Sequence, residues 1–241
     1  MPFRRGRVPK EEEAVSPFNL EIWNETPNDQ TFVMLADPGT ASTVPSGPAP
    51  LPLAWLVGVI PGKVGSVVST GYFYWAEDFA YALGEISAKG AGGFLETVAA
   101  PLSAGGDDSV AAGFAGSAGH GAPKLVSITK AGTAGFTMKS DASVPTAAEQ
   151  AAALVYYAGC WAIDEVDTSG RYAATQARQY LPNLVETLAP APAYSVIAGP
   201  AQTFAGDVLA QAVVQGAYDV DFAGVSVVRL TYTASNTFQP R

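Results

Sequence analysis

The chain has 241 residues, 48% of them hydrophobic and only 15% charged, a balance opposite to that of disordered chains. Its net charge is −9, with 13 Lys and Arg against 22 Asp and Glu, which argues against a nucleic-acid partner for the folded body. One Cys (Cys160) and one His (His120) leave no intramolecular disulfide and no thiolate or imidazole metal cluster to build, so no metal and no cofactor is expected.

The first segment, residues 1–16, reads as a charged arm. Arg4, Arg5, Arg7 and Lys10 are followed by Glu11, Glu12 and Glu13, with Pro2 and Pro9 opposing a continuous helix. No apolar core of a signal peptide follows these cations, and the longest apolar run, Leu53 to Ile60, is too short to span a bilayer. The expectation is a cytoplasmic protein without a membrane span. Residues 17–241 are expected to form one β-sandwich domain.

From Phe18 the chain turns β-like. Phe18, Leu20 and Ile22 alternate with Asn19, Glu21 and Trp23, as in a strand with one buried face. Asn24 to Gln30 reads as a turn, and Thr31 to Leu35 as a second strand closing a hairpin. Residues 36–52 hold five prolines with Gly, Ser and Thr, the composition of a long surface loop. Leu53–Ile60 is a short buried segment ended by Pro61-Gly62.

Val64–Trp75 and Phe79–Ile86 are rich in β-branched and aromatic residues. Trp55, Tyr72, Phe73, Tyr74, Trp75, Phe79 and Tyr81 are therefore placed in one aromatic core. Residues 87–122 are dominated by Gly, Ala and Ser. Leu125–Thr129 and Gly135–Lys139 read as strands.

Residues 146–163 begin Ala-rich, as a helix, and continue as a strand from Val155. Tyr172, Ala177, Leu181, Leu184 and Leu188 suggest a short helix that Pro182 weakens. Tyr194–Ala198, Val208–Val214, Ala217–Phe222 and Val225–Thr233 close the chain as strands. The fold class is all-β: an antiparallel β-sandwich, jelly-roll or Ig-like, with long Gly/Ala/Pro-rich loops and at most one or two short helices.

Catalytic motifs fail on named residues. In Gly113–Gly121 a nucleophile elbow around Ser117 needs Gly at 115, where Ala115 stands. A phosphate loop ending at Gly62-Lys63 needs Gly at 57 and a hydroxyl at 64, where Val57 and Val64 stand. The carboxylate groups Glu77/Asp78, Asp107/Asp108, Asp164/Glu165/Asp167 and Asp219/Asp221 read as solvated strand edges, although Asp219 and Asp221 share a face if they lie in a strand. Asn24-Glu25-Thr26 matches a glycosylation acceptor by chance.

Two blocks carry a family likeness. The first runs Asn24…Phe32…Asp37-Pro38, Leu53-Ala54-Trp55 and Phe73-Tyr74-Trp75…Asp78-Phe79. The second runs from Gly206-Asp207-Val208-Leu209 through Tyr218 and Phe222 to Thr231-Tyr232 and Asn236-Thr237-Phe238. Together they resemble the rhizosphere-expressed protein family of rhizobia (RhiA-like). The resemblance implies a small all-β bacterial protein without an established activity, and the Gly/Ala-rich middle does not take part in it.

The resulting expectation is a non-enzymatic structural or interaction protein. It would self-assemble into homo-oligomers or filaments of copies of itself through Arg4, Arg5, Arg7, Lys10, Glu11, Glu12 and Glu13. The alternative is a carbohydrate or small-ligand binding module that stacks its ligand on an exposed platform of Trp55, Trp75 or Trp161. A third reading, a hydrolase, requires Ser117 and His120, or two carboxylates, to meet in a pocket.

Overall fold

The structure, a computed structural model, describes residues 18–44, 49–87, 92–103, 106–132, 135–165 and 172–241. The arm residues Arg4 to Glu13 and the acidic residue Asp167 lie outside these, as do the side chains of Asp164 and Glu165. In chain order the strands are β1 (Phe18–Asn24), β2 (Gln30–Val44), β3 (Leu51–Pro52), β4 (Leu56–Ile60), β5 (Ser69–Ser87), β6 (Phe94–Pro101), β7 (Asp108–Ala115), β8 (Ala122–Lys130) and β9 (Phe136–Ser140). After helix α1 (Ala147–Ala152) come β10 (Val155–Glu165), β11 (Tyr172–Gln179) and β12 (Val185–Gly199). Helix α2 (Gln211–Val214), β13 (Tyr218–Val220), β14 (Val227–Tyr232) and β15 (Phe238–Pro240) complete the chain.

Two sheets pack face to face, so the described residues form an all-β sandwich with two short helices. One sheet runs β15-β14-β1-β5-β10-β11-β3 with β6 also on β5. The other runs β4-β2-β12-β9-β7-β8 with β13 on β12. Pairing is antiparallel except for β1 with β14 and β7 with β9, which are parallel, so both sheets are mixed. Between them lies one apolar core that includes Leu20, Ile22, Phe32, Trp55, Trp75, Tyr81, Tyr157 and Trp161. Each such side chain withdrawn from water contributes roughly 1.5–3 kcal/mol toward the cost of ordering the chain.

β1 and β2 do not form the expected hairpin: they belong to different sheets. The crossover is set by Asn24, which is fully buried. Its amide nitrogen donates to the carbonyls of Asn28 (3.0 Å), Ile60 (3.0 Å) and Pro61 (3.1 Å), while its oxygen accepts from the Thr26 amide and hydroxyl. These bonds consume the amide that the glycosylation match would have exposed.

Four further segments change the picture. Residues 36–44 continue β2 instead of looping. Pro38 is tolerated because β4 covers β2 only as far as Met34, leaving the edge beyond it without need of an N–H. Residues 172–179 form β11 and not a helix, because the free edge of β10 offers a full ladder of partners and outweighs weak helix propensity. Within 87–122 the small residues build β6 and β7, and within 208–214 the chain forms α2, whose Val213 and Val214 pack beneath Val33, Leu35 and Ile197.

The Ala-rich start of 146–163 is helical as expected. Thr146 caps it, its hydroxyl accepting from Glu149 N (3.3 Å) and its amide donating to Glu149 Oε2 (2.7 Å).

The first sheet also closes on itself. β6 pairs with β5, β5 with β10, β10 with β11 and β11 with β3. The ring is then completed by Ala54 N donating to Asp207 O (2.8 Å) and Phe94 N donating to Gly206 O (2.8 Å). A narrow ring admits only small interior side chains. Ala80, Ala82, Ala158, Cys160, Ala162 and Ala177 fill it, with Leu53 and Ile86.

Candidate functional site: an exposed aromatic sheet face

The three tryptophans named for a platform do not serve as one. Trp55 and Trp75 are fully enclosed and Trp161 is 4% exposed. Trp55 stacks on Tyr194 (5.7 Å, 21°), and Trp161 meets Tyr81 edge-on (4.7 Å). Their side chains fall on the inward positions of β5 and β10, or in the chain between β3 and β4, so they build the core.

The same alternation that buries Phe73 and Trp75 turns Tyr72 and Tyr74 outward. They are 53% and 47% exposed, and their rings lie 15° from parallel with centroids 6.2 Å apart. Register extends this outer face across four strands. Tyr74 sits beside Asn19, which sits beside Val227. Tyr72 sits beside Glu21 and then Arg229, and Thr70 beside Trp23, Thr231 and Gln239. Buried Leu20, Ile22 and Leu230 occupy the intervening inward positions.

The polar groups of this face are held in place. Arg229 Nε donates to Glu21 Oε2 at 3.0 Å, and Asn19 Nδ2 donates to Glu21 Oε1 at 3.3 Å. The Asn19 Oδ1 is enclosed and has no hydrogen-bond partner. The guanidinium of Arg241 lies 4.3 Å from the ring centroid of half-buried Trp23, a cation–π contact. A carboxylate, a guanidinium and an amide therefore lie between two aromatic borders.

Other sequence candidates do not gather into a catalytic site. Ser117 and His120 are exposed on the turn after β7, linked through a backbone bond from His120 N to Ser117 O (2.9 Å). Gly62 and Lys63 form a turn, with Gly62 N donating to Asp29 Oδ1 (2.9 Å) and Lys63 N donating to Thr26 O (2.7 Å). Asp107 and Asp108 pair with Lys130. Asp219 and Asp221 are exposed on either side of buried Val220. Among the described residues no three His, Cys, Asp or Glu side chains are grouped to hold a metal ion, and no helix is long and apolar enough to cross a membrane.

One buried acid escaped sequence reasoning. Glu186, 2% exposed on β12, accepts from the Tyr81 hydroxyl (3.2 Å) and faces Arg178 Nε (3.4 Å). Burial pushes its carboxyl above the ordinary value, and Arg178 pulls part of the way back. Enclosed between the sheets, it ties β12 to β5 and β11.

No family model, no curated protein and no solved structure matches this chain.

Proposed function

We propose that this protein is a non-catalytic carbohydrate-binding protein whose binding surface is the outer sheet face bearing Trp23, Tyr72 and Tyr74. The observation that supports it best is the pair of half-exposed, near-parallel tyrosine rings on the same face as Trp23. Leaving such rings in water forfeits the gain from burying them, so a grouped set is informative where a single exposed apolar residue is not. Sugar rings present C–H faces that stack on aromatic rings and hydroxyls that pair with planar side chains. Glu21, Arg229, Asn19 and Gln239 supply such side chains between and beside the aromatics.

Of the residues that carry the likeness to the RhiA family, Pro38, Leu53, Ala54, Trp55, Phe73 and Trp75 are buried. Kinship drawn from these would concern the fold, whereas Tyr74 and Thr231 lie on the proposed face.

Affinity electrophoresis through gels containing neutral or acidic polysaccharides tests the proposal. Wild-type protein should be retarded by at least one polymer, and Tyr72→Ala/Tyr74→Ala should migrate as in the blank gel. Absence of retardation by every polymer, or equal retardation of the double variant, would overturn it.

A further inference from the structure

A second surface lies where the second sheet changes partners. Along β12 the neighbour on one side is β9 up to Leu188 and β13 from Tyr194. Between them stand Pro190 and Pro192, which have no N–H to offer, and the register with β2 slips between Pro190 and Ala193. Opposite, Gly39 holds φ +129°, and a Cβ there would strike the Ala189 carbonyl. The interrupted ladder leaves a groove of about 520 Å³ whose wall includes Phe18, Glu77, Tyr194, Asp219, Asp221 and Phe222. Sharing Tyr194 and Asp219 with it is a cleft of about 300 Å³ that adds Asp37.

Among the described residues that line this groove and cleft the charges are of one sign, with no Lys or Arg. Their carboxylates accept from neutral donors: Glu77 from the Tyr194 hydroxyl (3.0 Å), Asp37 from Gly39 N (3.0 Å) and Asp221 from Ala223 N (2.8 Å). Among the described residues, neither these three nor Asp219 pairs with a cation. Apolar rings form the floor, with Phe222 edge-on to Phe18 (5.2 Å) and to Tyr194 (5.8 Å).

Phe18, fixed there by stacking on Trp75 (5.8 Å), is the first described residue and lines the groove, and residues 1–17 precede it in the sequence. That segment carries the only dense cationic run of the sequence, Arg4, Arg5, Arg7 and Lys10. We propose that the groove is the docking site for the basic arm of a second copy of this chain. Glu11, Glu12 and Glu13 stand between Phe18 and the cations and share the groove's own sign, which opposes return of the arm to its own body. The cationic run begins eight residues before Phe18, a reach of roughly 26 Å when extended and about 46 Å at Arg4. Each copy then offers one arm and receives one, a heterologous contact that propagates into rings or filaments. This reading is independent of the aromatic face.

Light scattering of the full chain at low and high salt, with charge-swapped variants, tests it. Wild type should scatter with at least twice the monomer mass at low salt and fall to monomer at high salt. Arg4→Glu/Arg5→Glu/Arg7→Glu and Asp219→Lys/Asp221→Lys should each be monomeric alone. Mixed together they should co-assemble, because the reversed arm meets the reversed groove; this recovery also shows that both variants are folded. A wild-type monomer at low salt, assembly that survives either reversal, or failure of the mixture to recover would each overturn the proposal.

Discussion

Tyr81 and Glu186 join the two sheets through the centre of the sandwich: the phenol of β5 donates to the carboxylate of β12 at 3.2 Å, and both residues are enclosed. The bond is compatible with an apolar core because Arg178 Nε, 15% exposed, stands 3.4 Å from the other carboxylate oxygen. An unpaired carboxylate here would cost several kcal/mol, whereas a paired one holds the sheets in one relative position.

This arrangement makes stability depend on pH in a defined direction. Burial raises the Glu186 carboxyl above its ordinary value of 4.5, so the folded state holds that proton more tightly than the unfolded chain. The site's contribution is greatest at low pH and declines as pH rises from about 4.5 through the folded value. Each unit of elevation corresponds to about 1.4 kcal/mol. Glu186→Gln, which cannot ionise, should gain stability relative to wild type as pH increases over this window. Urea unfolding of both proteins at a series of pH values measures it, and a constant difference would show that the carboxyl is not held high.

Gly159 explains how Tyr81 fits. A Cβ at this position of β10 would collide with the Tyr81 hydroxyl and crowd its ring. Gly159→Ala should therefore destabilise by about 1–3 kcal/mol, the usual range for overpacking, although alanine suits a strand no less than glycine. Its loss should combine non-additively with Tyr81→Phe, which removes the colliding oxygen. A double-mutant cycle in urea checks this; additive losses would mean that the two side chains do not meet.

Cys160 tests the closed ring of β5, β6, β10 and β11. It is 1% exposed in the interior, and burial pushes its thiol well above the ordinary value. An aromatic disulfide reagent should label native protein very slowly and label it fully through the unfolding transition. Cys160→Ser should cost about 1–3 kcal/mol, because its hydroxyl would lie among alanines. Fast labelling of one thiol in native buffer would show the ring to be open.

How much of this was legible depended on whether one position constrained the next. The Ala-rich start of residues 146–163 favours a helix whatever surrounds it, and the helix is there. Phe18, Leu20 and Ile22 against Asn19, Glu21 and Trp23 gave β1 both its faces. By contrast, Tyr72-Phe73-Tyr74-Trp75 has an aromatic at every position, so no polar residue announces which pair faces water. Only the register Phe73 with Leu20 and Tyr72 with Glu21 decides it. The prolines at 38, 190 and 192 suggest loops because their tolerance depends on which strand edges lack partners, a property of the assembled sheet. Glu186 had no signature, since its partners Tyr81 and Arg178 come from distant strands.

Trp23 carries the last prediction. Trp55, Trp75 and Trp161 are enclosed, so Trp23 is the indole best placed to respond to events on the outer face. A saccharide settling on Tyr72, Tyr74 and Trp23 would remove water from that ring and displace the Arg241 guanidinium now 4.3 Å from it. Saturable change in tryptophan emission should thus accompany binding, and Trp23→Phe should abolish the optical change while leaving stability within about 0.5 kcal/mol of wild type. Tyr72→Ala/Tyr74→Ala should instead keep the Trp23 emission and lose the titration. If Trp23→Phe still reports binding by emission, the ligand sits near one of the enclosed tryptophans and not on this face.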